Sequence, residues 1–304
     1  MKEKNLIQTI KSILKSEYIG DDCAYLKDLG ITVSQDSLVE DVHFSLKYTN
    51  AYQLGWKSAM VNISDICASG AEPKYMTIAL SIPDYIDENF IKEFYKGAKD
   101  ACGNVKIVGG DITGSDKLYI SVTAIGLTSN RKISSRKNAK IGYKIIVSGE
   151  HGNSAKGLEI FKANRQSSQA VRNKFLQAHL MPVAKIDFSR QISQSCKSDY
   201  AMTDTSDGLG DALMQIAQAS KVRLKIDTSK IPHDKSVDIE TVLFGGEDYE
   251  LVAVVPKDLY VNGAEEIGEV VEGECGIEID GKFYDDIENK LYNHFERGDR
   301  KTHV

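Results

Sequence analysis

The chain has 304 residues, a formal net charge of −6, 41% hydrophobic and 27% charged residues; that size suits roughly two domains, each able to bury its own core, and the acidic balance argues against a nucleic-acid protein built on a basic face. No run of about 18 apolar residues marks a membrane span, and Met1–Asn5 is polar and charged with no apolar stretch of a secretory leader behind it. The five cysteines (Cys23, Cys67, Cys102, Cys196, Cys275) are scattered and form no C-x-x-C pair, so neither a disulfide framework nor a zinc site is expected and a reducing cytoplasm is the expected setting.

In chain order, residues 31–36 read as a strand running into Asp36. Helical spacing of Leu54, Met60, Ile63 and Cys67 predicts a helix over 51–69, stopped by Gly70. A strand over 75–82 ends at Pro83, and a helix over 87–102 starts at Asp87 and stops at Gly103. Residues 105–108 read as a short buried strand that delivers a Gly109-Gly110-Asp111 turn, and 117–127 as a long alternating strand. The polar, basic stretch 128–142 reads as a join. A strand over 143–148, helices over 153–163, 167–179 and 183–196, a strand near 200–204, a helix over 208–219 and strands over 222–227 and 249–255 follow. The tail 265–295 reads as short strands and turns. Both halves mix strands and helices without strict alternation, which predicts a mixed α/β (α+β) fold rather than a doubly wound sheet.

The chemistry lies in the aspartates. Asp21-Asp22, Asp36, Asp65, Asp111, Asp204, Asp207 and Glu247-Asp248 all fall in Gly/Ser/Thr/Asn-rich strings that follow or interrupt apolar runs. Carboxylates that converge on one pocket must protonate or bind cations. Oxygen ligands without a thiolate or histidine partner suit magnesium, and magnesium in a carboxylate pocket points to bound phosphates. Any one of these aspartates is also a good cap or turn residue. No P-loop and no protein-kinase signature is present. Gly149–Ser154 reads either as a capped strand-to-helix turn or as a phosphate-binding helix start. His43, after Glu40-Asp41, reads as structural or functional. Arg136 is either part of a solvated join or a phosphate contact.

Taken together and in order, the strings Gly20–Ala24 (GDDCA), Ser34–Phe44 (SQDSLVEDVHF), Val61–Pro73 (VNISDICASGAEP), Val108–Thr113 (VGGDIT), Asp204–Leu209 (DTSDGL) and Gly245–Leu251 (GGEDYEL) resemble the thiamine-monophosphate kinases. These belong to the superfamily of ATP-dependent enzymes that includes aminoimidazole ribonucleotide synthetase and selenophosphate synthetase. The resemblance spans nearly the whole chain. It implies a two-domain fold of the aminoimidazole ribonucleotide synthetase type. Residues 1–130 would form an ATP- and magnesium-binding dimerisation domain, whose sheet builds a barrel at the interface of a homodimer. Residues 131–304 would form a C-terminal α/β domain that completes the active site in the cleft. It also implies that Asp22, Ser34, Gln35, Asp36, Asp65, Asp111, Asp204 and Asp207 hold several magnesium ions, with Asp36, Asp65 and Asp111 catalytic. Tyr95, Gly110, Asp111, Arg136 and Ser206 would contact ATP, and His43, Glu247 and Tyr292 would contact thiamine phosphate. Asp21 would be a neighbour of the site.

Three positions depart from the family pattern: Gln35 stands where threonine is usual, Asp41 where glycine is usual, and Ile112 where threonine is usual. Asp41 would sit in a loop needing positive φ, which Asp tolerates better than most residues. Gln35 is harmless if its position meets metal through the backbone carbonyl. The implied reaction joins two anions. The acceptor phosphate is already ionised near neutral pH, so no strong base is required. Each pair of unit charges at about 4 Å costs about 4 kcal/mol at an effective dielectric of 20, so the total repulsion exceeds about 10 kcal/mol. Divalent ions can offset that, and positioning with charge neutralisation is the main task. The rival readings are a purine-pathway synthetase of the same superfamily and a non-catalytic nucleotide- or metal-binding protein. Selenophosphate synthetase is disfavoured because Cys23 lies inside the Asp-Asp string.

Overall fold

The computed structural model describes residues 3–163 and 169–291. Tyr292, expected at the substrate, lies outside them. In chain order the elements are α1 (Glu3–Leu14), β1 (Ala24–Leu26), β2 (Ile31–Val39), α2 (Ala51–Ala68), β3 (Glu72–Ile82), α3 (Glu88–Cys102), β4 (Lys106–Gly114), β5 (Tyr119–Leu127), β6 (Lys144–Val147), α4 (Asn153–Ala163), α5 (Gln169–Leu180), α6 (Ile186–Ser195), β7 (Ala201–Asp204), α7 (Leu209–Ser220), β8 (Arg223–Ile226), α8 (Ile239–Phe244), β9 (Leu251–Val255), β10 (Glu265–Val271), β11 (Gly276–Ile279) and β12 (Lys282–Tyr284). The strands form a five-stranded sheet in the order β1-β2-β5-β3-β4 and a seven-stranded sheet in the order β12-β11-β8-β10-β6-β9-β7. Both sheets mix parallel and antiparallel pairs, as the irregular alternation of elements predicts.

Helix α2 is the centre of the molecule. Asn50 opens it with a capping box, its side chain accepting from the Gln53 amide while the Gln53 side chain accepts from the Asn50 amide. The helix is buried on nearly every side, with Lys57, Ser58, Asn62 and Ser64 buried along with its apolar residues. One side lies on the inner face of the first sheet, against Met76, Ile78, Ile120 and Val122. The same core continues through Tyr200 into Met202, Leu251 and Ala253 of the second sheet. A separate core under α7 joins Leu213, Ile216, Val252, Val254 and Ile277.

Two glycines set the distance between α2 and α3. A Cβ on Gly55 would fall 1.9 Å from the carbonyl oxygen of Phe94, and one on Gly97 would fall 1.9 Å from that of Tyr52. Replacing Gly55 by alanine is expected to destabilise the fold by about 1–3 kcal/mol, because packed backbones must separate. Urea unfolding measures this, and an unchanged midpoint would contradict the packing.

The expected short buried strand at 105–108 is corrected. β4 continues through Gly109-Gly110-Asp111 to Gly114 with no turn there, and it is an exposed edge strand. The physical reason lies at Gly110: a Cβ there would sit 1.8 Å from the Ile78 carbonyl oxygen, so the glycine serves a close approach of β4 to β3. Asp41 adopts φ +60, the left-handed conformation expected of that loop, and its carboxylate pairs with Lys117 at 2.8 Å. All five cysteines are free, and no helix among the described residues is long and apolar enough to cross a membrane.

Candidate active site

Three of the expected carboxylates meet. Asp22 comes from the loop before β1, Asp65 from the last turn of α2 and Asp204 from the end of β7, and one oxygen of each lies within 4.8 Å of the others. Asp36 joins them from β2, on the side of the sheet that carries Ser34 and Leu38 toward α2. Its amide donates to Asn62 Oδ1 at 3.1 Å. Ser34 Oγ donates to Asp65 Oδ2, and Ser64 Oγ to Asp204 Oδ2 at 2.7 Å. The Ser206 amide donates to Asp204 Oδ1 at 3.3 Å. Strand ends and a helix end thus deliver acids that are far apart in sequence.

The electrostatics are those of a charged cage. Burial raises the Asp36 carboxyl to about 6, with the Asp22 charge adding to it. Burial, then Asp22, raises Asp204 to about 7. Asp65 is pushed well above the carboxylate range by burial and by Asp36, Asp204 and Asp22. One cation lies among them: Arg136 Nη2 stands 2.9 Å from Asp22 Oδ1 and also donates to Thr203 Oγ1 at 3.0 Å, whose hydroxyl donates in turn to Asp22 at 2.7 Å. The raised Asp36, Asp65 and Asp204 carboxyls, beside the Arg136–Asp22 pair, leave a place for further positive charge. The donor set is hard oxygen with hydroxyls in support, and it fits divalent magnesium. Cys23 is buried beside this set, donating its thiol to the Asp65 carbonyl at 3.2 Å, and burial pushes its pKa up. It is therefore an inert thiol. A cavity of about 770 Å³ opens beside Asp21, Asp22 and Cys23.

Other expected site residues sit elsewhere. Asp207 is exposed at the start of α7, three residues beyond Asp204. Asp21 holds the chain around Arg136, accepting from the Arg136 amide and the Ser135 hydroxyl, both at 2.8 Å; it is a neighbour, as expected. The Gln35 side chain lies on the opposite face of its sheet from Asp36, bonded to Thr123 and Ser121, so it does not face the cage. Tyr95 on α3 packs edge-on to Phe94. Gly110 and Asp111 do not join the cage within one chain. Asp36, Val122, Ile78 and Gly110 lie in register across β2, β5, β3 and β4, so Gly110 is three strand spacings from Asp36, about 14 Å. Asp111, one residue on, is exposed on the edge strand and faces the other side of the sheet.

A second cluster forms around Glu247, in the loop after α8. Its amide donates to the Ser206 carbonyl at 2.6 Å, which packs the loop against the Asp204–Gly208 loop. Its carboxylate pairs with Lys57 of α2 and lies 3.3 Å from His179 Nδ1 of α5. Neither partner was expected from sequence. No local signal marks Lys57, whose partner lies 190 residues away in the chain. His43 accepts the Val39 amide at Nδ1, 3.0 Å, so its neutral ring carries the proton on Nε2. Gly149–Ser154 resolves as the capped turn: the Asp248 carboxylate accepts from the Gly152 and Ser154 amides at 2.6 and 2.9 Å. The start of α4 is therefore occupied by the protein's own carboxylate.

The family is settled by comparison. Residues 20–128 match "AIR synthase related protein, N-terminal domain" and residues 140–280 its C-terminal domain. The chain is 36% identical to the thiamine-monophosphate kinase of Aquifex aeolicus (strain VF5), over 96% of this chain and 98% of that one. The chain belongs to the thiamine-monophosphate kinase family. It is also 35% identical to the Bacillus subtilis (strain 168) member, over 84% of this chain and 80% of that one. Among solved structures, "AaThiL complexed with AMPPCP and TMP" superposes with a TM-score of 0.89 at 35% identity, covering 97% of each chain.

Proposed function

We propose that the chain phosphorylates thiamine phosphate with ATP, giving thiamine diphosphate and ADP, by direct in-line transfer with several magnesium ions. The observation that carries this reading is the convergence of Asp22, Asp65 and Asp204, one oxygen of each within 4.8 Å of the others, with Asp36 near enough for its charge to act on Asp65, in a chain of this family. Asp22, Ser34, Asp36, Asp65 and Asp204 would hold the ions, with Asp207 and the Gln35 carbonyl at the margin. Magnesium bound there would neutralise the phosphate oxygens of both reactants. The residues themselves orient and exclude. Ser34 and Ser64 fix the rotamers of Asp65 and Asp204. Asn62 anchors the β2 backbone at Asp36. Arg136 sits beside Asp22, where its fork can reach a nucleotide phosphate, with Ser206, Tyr95 and Gly110 as further ATP contacts. His43 offers an Nε2–H donor, and with Glu247 and Tyr292 it would receive the acceptor substrate. No base is assigned, because the acceptor oxygen is already ionised.

The placement of Asp111 motivates a homodimer, with a domain boundary near residue 130. The open face of the first sheet presents Gln35, Ser37, Ser121 and Thr123, and its edge strand β4 is exposed along its length with Val108 and Ile112 outward. A bare edge of this kind invites pairing. In such a dimer, with the two sheets closing a barrel, Asp111 would serve the cage of the partner.

The experiment is direct. The purified chain, incubated with ATP, thiamine phosphate and magnesium chloride, is expected to form thiamine diphosphate and ADP in equal amounts. Chelation of the magnesium should abolish product. ADP release without thiamine diphosphate would overturn the reading, and a phosphoprotein trapped with labelled ATP would overturn direct transfer.

A further inference from the structure

Helix α2 carries one charge that has no place in the carboxylate cage. Lys57 is 2% exposed, and its ammonium lies 3.1 Å from Oε1 and 3.2 Å from Oε2 of Glu247. His179 Nδ1 lies between Glu247 Oε2 at 3.3 Å and the Ser154 hydroxyl at 3.1 Å. The Tyr48 ring lies 6.1 Å from the His179 ring and stacks on Phe161 at 4.4 Å. A buried ion pair is a poor device for stability, since an apolar pair of similar volume often serves folding as well or better. Glu247 moreover sits at φ +66 and Tyr249 at φ +52, conformations that non-glycine residues hold only under constraint. Backbone strain and a buried charge pair at the same residue mark a group held for a task.

The task follows from geometry and chemistry. Lys57 and Asp65 lie eight residues apart on one helix, about 12 Å along its axis. The clamp on Glu247 and the magnesium cage are thus carried by two ends of one rigid element. The Glu247 carboxylate suits a cation or an N–H donor better than a phosphate. It suits the opposite end of thiamine phosphate, which carries an exocyclic amino group and a fixed positive ring charge, and the stacked Tyr48 and Phe161 offer that ring an aromatic wall.

We propose that Lys57 and His179 are positioning residues that hold the Glu247 carboxylate at a fixed distance from the cage, so that it receives the cationic heterocyclic end of thiamine phosphate. This rests on the substrate reading above. Lys57 and His179 act through Glu247 and do not touch the reacting atoms.

The test is steady-state kinetics of Lys57→Met and Lys57→Arg. Lys57→Met is expected to raise KM for thiamine phosphate roughly 30-fold, in line with truncation of one member of a buried charge pair. KM for ATP should change much less, since Lys57 meets the Glu247 carboxylate while Ser206, proposed for ATP, meets Glu247 at its backbone amide. Lys57→Arg should recover most of the loss, because it keeps the charge. A pH profile adds a readout that mere packing would not move. The groups facing Glu247 are Lys57 from α2, His179 from α5, Tyr48 from the segment before α2 and Tyr249 from its own loop. Without the ammonium, Glu247 holds its proton more tightly, so in Lys57→Met KM for thiamine phosphate should fall as pH rises from about 6 to 9. If Lys57→Met does not fold, the neutral pair Lys57→Met/Glu247→Gln replaces it, and there the raised KM should persist without the pH dependence. Unchanged KM for thiamine phosphate, or parallel rises for both substrates, would overturn the proposal. A wild type that makes no thiamine diphosphate strikes the substrate reading and this proposal with it. A wild type that turns over while the variants keep its KM strikes the proposal alone.

Discussion

Replacing Asp36 by asparagine is expected to lower turnover by at least about 100-fold, and to make the magnesium-free protein more stable at pH 8. The loss follows if Asp36 supplies charge that positions the ions, since electrostatic groups at phosphoryl-transfer sites typically contribute factors of this order or more. The gain follows from the cage itself. Asp36 is raised to about 6 by burial and by Asp22, against about 3.9 in an unfolded chain. The folded form therefore holds its proton more tightly than the unfolded form. Protonation favours folding as pH falls through about 6 toward 4, and above that window the ionised carboxyl carries a cost. At pH 8 asparagine relieves about 3 kcal/mol, from a shift of roughly two units at 1.36 kcal/mol each. Thermal unfolding without magnesium should show a higher midpoint for the variant. Adding magnesium should raise the wild-type midpoint more than that of the variant, because bound cations remove the repulsion that asparagine already lacks. A variant that is inactive but no more stable would place Asp36 outside the strained set. One that is active would remove it from the site.

Mixing two inactive variants, Asp36→Asn and Asp111→Asn, is expected to restore about a quarter of wild-type activity. The reasoning is geometric. Asp111 faces away from the cage on an exposed edge strand, about 14 Å from the row of Asp36, so in the homodimer proposed above it would reach a cage only across the subunit boundary. With random exchange of subunits, roughly half of the dimers are mixed. Each mixed dimer has one site with both mutations and one site with neither. If Asp111 served its own chain, every site in the mixture would carry a lesion and no activity would return. Assaying a co-refolded equimolar mixture separates the two outcomes. Activity of the Asp111→Asn protein alone would show that Asp111 serves neither cage.

Much of the site was legible because its strings are local. Gly20–Ala24, Ser34–Asp36, Asn62–Asp65 and Asp204–Ser206 each keep their carboxylate beside the hydroxyl, amide or turn that orients it, and four carboxylates could be named from those strings. The convergence itself was not readable from periodicity; the order of the strings, through family resemblance, supplied it. Gly109-Gly110-Asp111 misled for a physical reason. Two glycines and an aspartate are the composition of a turn, while here the absence of a Cβ lets two strand backbones approach. Helix α1 has Ile7, Ile10 and Leu14 at helical spacing but no flanking signal to set it apart from the polar N-terminus. Its apolar side chains are exposed, so no core confirms it in the way that burial confirms α2. Lys57 could not be singled out, since its meaning depends on a glutamate 190 residues away.

A helix enclosed on all sides can neither roll nor slide. Losing or gaining a single residue between Lys57 and Asp65 would turn one end about 100° against the other. The segment should therefore accept exchanges of side chain far more readily than any change in its number of residues, and in that sense α2 is a gauge whose length is part of the substrate's recognition.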